Sequence, residues 1–383
     1  MRKTKASLAI LLSLFIVTPL MPAEAAVKAG AACSKAGVKS VASDKTYTCI
    51  KSGKKFVWDK GVAITKPTVV STPSATPAAS PSPTPTPTPE IVYATLWEKY
   101  KWSKPSSAAS VAAAATEKFK SYAATNRSPY TTVKIVSQEG VDANLLKWVT
   151  DGSAFASKVF SYPQLSSPFV AVIAKDKEFA EKAYNENGYA RDAKSLANYF
   201  EKVPAHGGPP NTYNSTMITS KGLLVSDKIG MMQMPGHETF HFIQQSIAGT
   251  SATPDGMGIA PQWFWEGPAV FVGLQIANHL SLADYATEGR TFAVKRSISG
   301  PVKSLKLSEV TKNDGSSDPY GIGAIATEFL VANVGMEKFM NVYNNLGKNM
   351  KFPDAFKSAT GVELVDFYAM FEEIRPTLDT PRS

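Results

Sequence analysis

Eight prolines fall within the 25 residues KPTVVSTPSATPAASPSPTPTPTPE, positions 66–90. Proline alternating with Thr and Ser removes backbone donors, favours extended polyproline II and supplies nothing to bury. No core can run through such a stretch, so the chain must fold as separate pieces on either side of it. At ~3.1 Å per residue the spacer reaches roughly 75 Å. The expected organisation is a signal peptide over 1–26, a small basic module over 27–65, this linker over 66–90 and a large domain over 91–383.

The signal peptide is read from Arg2, Lys3 and Lys5, the apolar run from Leu8, and the small residues of Ala23-Glu24-Ala25. The apolar run is too short to hold a membrane, and no later run is long enough to cross one. Gly30-Ala31-Ala32 lacks the branched residue that a lipid anchor on Cys33 requires. The expected mature protein is exported, extracellular or cell-wall associated, with no transmembrane segment.

Charge separates the same pieces. Residues 27–65 hold eight lysines against Asp44 and Asp59, whereas residues 66–383 hold 30 basic and 29 acidic residues. The net charge of +9 therefore says nothing for nucleic-acid binding by the large domain. It points the small module toward an anionic cell-envelope polymer, or simply toward a solvated lysine-rich surface. The two cysteines, Cys33 and Cys49, both lie in this module. In an oxidising compartment they close one disulfide, contributing ~3 kcal/mol to a unit too short to bury much. Tyr47–Ile50 and Lys55–Trp58 read as two strands around Ser52-Gly53. The module resembles a short Cys-pair module at the start of secreted actinobacterial proteins, to which no chemistry is assigned.

The large domain reads as α+β: a mixed sheet packed on helices, then a helical C-terminal lobe. Helices are expected over Ala108–Thr125, Ala143–Phe160 and Lys177–Lys202, with strands over Thr132–Ser137, Phe169–Ile173 and Met217–Ser226. Leu364, Phe367, Phe371 and Ile374 form an apolar stripe on a last helix.

Two of the chain's four histidines stand in MPGHETFHFIQQ, residues 234–245. On a helix, His241 lies about 40° from His237 and Gln244 about 20° to its other side, so the three share a face. Phe240, Ile243 and Ile247 make an adjacent apolar stripe, and Glu238 sits about 100° away. Two imidazoles on successive turns can hold zinc, while Glu238 stands beside a coordinated water. A metzincin-type third histidine is absent, since Gln244 and Ile247 occupy the positions that extension needs. Glu266, in PQWFWEGPAVFVG, is the alternative third ligand. It is flanked by Trp263, Phe264 and Trp265, and Pro268 is expected in the first turn of its helix.

HETFH followed by WFWEGPA resembles the gluzincin zinc metallopeptidases, particularly the peptidase MA-like families with a W-x-x-E-G-x-A second motif. Tyr320-Gly321-Ile322-Gly323-Ala324 is similar to the Y-x-x-G-A segment of gluzincin aminopeptidases. The resemblance implies a zincin-like fold, a Zn2+ cofactor held by His237, His241 and Glu266, Glu238 as general base, and Tyr320 as donor to the oxyanion. It also implies that Met217–Ser226 docks an extended peptide by edge pairing. The G-x-M-E-N segment that captures a free amino terminus is missing, and Val270 occupies the place of a supporting acid. His206 is read as part of a Gly/Pro loop and His279 as a packing or surface residue. The function expected is zinc-dependent hydrolysis of peptide bonds. The alternatives are a non-catalytic envelope-binding protein with a structural or vestigial zinc site, and a zinc hydrolase of non-protein amides.

Overall fold

The computed structural model describes residues 28–33, 36–42, 45–53, 55–63, 94–125, 132–161, 169–187, 194, 205–207, 215–219, 228–249, 260–313 and 317–379. These fall in two compact units, one within Met1–Thr88 and one within Pro89–Ser383. The expected signal peptide and linker lie outside the described residues.

The N-terminal unit is an antiparallel sheet of β1 (Lys39–Ala42), β2 (Lys45–Ser52), β3 (Lys55–Trp58) and β4 (Val62–Ala63), with β2 pairing all three others. Gly53, at φ 61°, turns β2 into β3 at the expected place. Alternate residues of β2, Tyr47 and Cys49, face inward and meet Trp58, Ala31 and Cys33. Cys33 and Cys49 are bonded, with Cα atoms 6.0 Å apart.

The larger unit begins with α1 (Leu96–Tyr100), α2 (Ala108–Ala123), β5 (Val133–Ser137), α3 (Ala143–Val159), β6 (Phe169–Ala174), α4 (Lys177–Glu186), β7 (Ala205–Gly207) and β8 (Ser215–Thr219). Asp142 and Asp176 cap α3 and α4 by accepting backbone N–H bonds, which is why those helices start where they do. The helix expected over Lys177–Lys202 ends at Glu186; of its remainder, only 187 and 194 fall among the described residues. The sheet runs β5-β6-β8-β7, parallel except for the last pair. In β6, Phe169, Ala171 and Ile173 enter the main core, while Val170, Val172 and Ala174 pack under α4. Both faces of that strand are covered, as its unbroken apolar run requires.

Ser215–Thr219 corrects the expected edge strand. It pairs with β6 on one side and β7 on the other, so Met217–Thr219 is interior and β7 stands at the edge among the described residues; positions 220–226 of the expected strand lie outside the described residues. A three-residue strand such as Ala205–Gly207 is too short to show a period, which is why the sequence hid it.

The rest of the unit is helical: α5 (Lys228–Ala248), α6 (Gln262–His279), a π-helical turn (Tyr285–Gly289), α7 (Arg290–Ser297), α8 (Pro319–Gly347, broken at Gly335), α9 (Phe352–Thr360) and α10 (Leu364–Leu378). α6 is buried at every position from Gln262 to Ala277. A helix apolar all round belongs in the middle of a core, and α6 lies between α5 and α8. On α10, Phe367, Phe371 and Ile374 are buried as expected, with Leu364 partly buried against the same core. The architecture is α+β. Among the described residues no helix is long and apolar enough to cross a membrane.

Candidate metal centre

Two backbone-to-backbone crossings bring α5, α6 and α8 together. A Cβ at Gly236 would lie 2.9 Å from Gly273 Cα, and one at Gly267 would lie 2.2 Å from the Gly323 carbonyl carbon. Neither contact has room for a side chain. The glycines adjoin the chemistry: Gly236 precedes His237, and Gly267 comes directly after Glu266. Close approach of the helices is what allows two imidazoles on one helix to meet a carboxylate on the next.

His237 Nε2 lies 3.0 Å from His241 Nε2, His241 Nε2 lies 3.1 Å from Glu266 Oε2, and His237 Nε2 lies 3.5 Å from that oxygen. Three ligands at tetrahedral angles and bonds of about 2.0–2.2 Å from zinc would stand roughly 3.3–3.5 Å apart. The observed triangle is close to that size. Glu238 joins the cluster, with one ligand atom each of His237, Glu238 and His241 within 4.8 Å of one another. All four side chains are buried, so the group could hold a metal ion away from bulk water. Two carboxylates, Glu238 and Glu266, therefore stand beside the histidine pair, and Glu266 Oε2 lies within 3.5 Å of both Nε2 atoms.

The electrostatics favour a cation here. Burial pulls the His241 imidazole down, but the charge of Glu266, its hydrogen bond and the charge of Glu238 outweigh that and raise its pKa. Burial works against ionised Glu266 too, yet His241 and His237 hold its carboxyl well below the usual range. His237 is lowered to about 4, first by burial and then by His241, with Glu266 opposing. The pocket thus holds an ionised Glu266 beside a neutral His237 and a His241 whose charged form is favoured by that carboxylate.

Around the cluster, the Trp265 indole stacks on His241 at 4.4 Å and 19°. Tyr320, at the N-terminus of α8, lies with its ring 6.0 Å from that of His237. Asp318 caps α8 by accepting from Tyr320 N at 3.0 Å, which sets the tyrosine in place. The Tyr320 hydroxyl accepts from Asn313 Nδ2 at 3.1 Å, and the Arg296 guanidinium lies 4.5 Å over its ring while pairing with Asp318. Burial, then the charge of Glu266, pushes the Tyr320 phenol up, so it stays protonated.

The structure thus brings His237, Glu238, His241, Glu266 and Tyr320 into one place. Pro268 differs from expectation: α6 starts at Gln262, so the proline is in the helix interior. Its missing N–H would have served the Phe264 carbonyl, which instead accepts from the Tyr343 hydroxyl at 3.0 Å. Tyr343 and Arg296 lie far in sequence from the groups they meet, and Asn313 stands seven residues before Tyr320; no motif marks any of the three. Gln244 was legible as a same-face residue without a partner. His279 stacks on Phe155 at 3.9 Å, a packing role at the surface. His206 is in β7, and its side chain lies outside the described residues. Val270 is buried in the core.

Comparison with known protein families, curated proteins and solved structures finds no match for the chain.

Proposed function

We propose that the protein is a zinc-dependent hydrolase of peptide bonds, exported to act outside the cell. The observation that carries this reading is the convergence of His237 Nε2, His241 Nε2 and Glu266 Oε2 within 3.5 Å of one another in a buried pocket. His237, His241 and Glu266 would hold the ion. When bound, zinc supplies Lewis-acid polarisation of a carbonyl and a water acidified toward a pKa of about 7.

The protein's own groups do the rest. Glu238, next in sequence to His237 and with its charge felt at both His241 and Tyr320, takes a proton from the attacking water and returns it to the leaving amine. Tyr320 donates its hydroxyl proton to the developing oxyanion, a contact of this kind being worth ~3 kcal/mol. Among the described residues, the backbone edge beside that strand that an extended substrate could pair with is β7. The Cys33–Cys49 bond fits an oxidising compartment.

The test is the mature protein loaded with zinc and offered a mixed quenched-peptide library, beside Glu238→Gln, with metal content measured on both. Cleavage by the parent, and none by a variant that still holds one zinc, is the expected result. One zinc in each with no cleavage by either moves the proposal to non-peptide amides. No zinc in either removes it.

A further inference from the structure

Behind His241 the polar groups form a chain whose direction is set by two backbone carbonyls. Gln244 Nε2 lies 2.9 Å from the Trp265 carbonyl oxygen and 2.9 Å from the Tyr343 hydroxyl, and Gln244 Oε1 lies 2.8 Å from His241 Nδ1. The Tyr343 hydroxyl lies 3.0 Å from the Phe264 carbonyl oxygen. A carbonyl can only accept. The side of the Gln244 amide that meets Trp265 must therefore be its NH2, and the Tyr343 proton must point to Phe264. That leaves the Tyr343 oxygen to accept from Gln244, and it leaves Oε1, an acceptor, facing His241. Nδ1 of His241 must then carry a proton whether the ring is charged or neutral, and in the neutral ring this leaves Nε2 with its lone pair toward His237 and Glu266.

We infer that Gln244 is a positioning residue that fixes His241 as the Nδ1–H tautomer, with Tyr343 and the Pro268 break in α6 holding Gln244 in its orientation. Pro268 matters because an ordinary residue there would offer its own N–H to Phe264, and Tyr343 would have to share the acceptor that directs its hydroxyl. His237 provides the contrast: its Nδ1 is buried without a hydrogen-bond partner among the described residues. One ligand imidazole is held from behind and the other is not. The inference deepens the metal-site reading and rests on it for the effect on affinity, whereas the tautomer itself can be read without metal.

The experiment uses the mature protein with 15N-labelled histidine, metal-free and at alkaline pH, where neutral imidazoles report their tautomer by long-range 1H–15N correlation. Four histidines make assignment by single substitutions practical. In the parent, His241 is expected wholly as Nδ1–H. An Nε2–H signal in the parent overturns the inference with no variant needed. Gln244→Met is expected to give a mixture of tautomers and to weaken zinc binding, by chelator competition, about 10- to 100-fold, the usual cost of losing a ligand's outer partner. Gln244→Glu, which can still accept from Nδ1, is expected to restore the Nδ1–H signal. A Gln244→Met protein with the parent's tautomer and affinity overturns the inference. A parent that binds no zinc but shows the expected tautomer changes keeps the tautomer lock and removes the metal reading.

Discussion

The two units hold themselves together in opposite ways. The N-terminal unit has a core of Tyr47, Cys49 and Trp58, closed by a disulfide, and it leaves Val38, Ile50, Phe56 and Val62 exposed. The larger unit has no cysteine, and its main core cluster draws on residues from Trp97 to Leu378; Val365 is its one exposed large hydrophobic among the described residues. A segment of some forty residues cannot bury enough apolar surface to offset its ordering entropy, so a covalent link does part of that work. Where the chain is long enough, helices packed backbone to backbone replace the link. The candidate metal centre sits at those contacts, so its geometry depends on packing and not on any covalent constraint.

The largest test of this contrast is Gly267→Val. Its Cβ would fall 2.2 Å from the Gly323 carbonyl carbon, a backbone atom that no side-chain rotation can move away. The expected loss is beyond about 5 kcal/mol: the cooperative thermal transition of the larger unit disappears, while the Cys33–Cys49 bond still forms. Gly289→Ala is the control, since its new Cβ meets only side-chain atoms at 3.3 Å and beyond. It should stay within about 1 kcal/mol of the parent in denaturant unfolding.

Next in size is Arg290→Met. Arg290 and Glu328 form a buried pair at 3.2 Å, Tyr285 donates to the same carboxylate at 2.7 Å, and the guanidinium also reaches the Leu378 carbonyl oxygen. Removing the cation strands a carboxylate with no access to water, a loss of about 3–5 kcal/mol. Urea unfolding followed by circular dichroism would measure it. A loss below about 1 kcal/mol would mean that the pair contributes little beyond filling space.

How much of this was legible beforehand depends on the range of each interaction. Contacts within one helix or strand were readable: the shared face of His237, His241 and Gln244, and the buried run of β6. Glu266 was readable because its motif is local and was set against a second local motif. What crossed between elements was not. Gly267 and Gly323 look like ordinary small residues until their backbones are seen to touch. Pro268 looked like a helix start because the group that excuses an interior proline, the Tyr343 hydroxyl, comes 75 positions later. Arg296 reaches Tyr320 only through the fold, and β7 is too short to carry a period.

A third, smaller effect belongs to the N-terminal unit. Cys33→Ser with Cys49→Ser opens a loop with 15 interior residues, at an expected cost of about 3 kcal/mol to that unit alone. Limited proteolysis of the full chain should then cut within residues 28–63 first, with the larger unit intact. Equal protection in the oxidised parent and the variant would show that Tyr47 and Trp58 suffice without the link.

The smallest effect is electrostatic, and it is read in the N-terminal unit. The Asp59 carboxylate accepts from Thr48 N and Gly61 N, both at 2.9 Å, and these bonds hold its pKa below the ordinary 3.8. A carboxylate whose folded pKa is depressed contributes stability that is fully present above the unfolded value and fades as pH falls through the folded one. The N-terminal unit should therefore loosen only in strong acid, where the turn joining β3 to β4 loses its acceptor. In an NMR titration of the full chain, the Thr48 and Gly61 amide protons should shift together with a single midpoint below 3.8. Asp59→Asn keeps a carbonyl acceptor and has no charge to titrate, so the same two resonances should stay still. A midpoint at or above 3.8 would mean that the carboxylate does not hold these amides, and that the disulfide and Trp58 shape the turn without it.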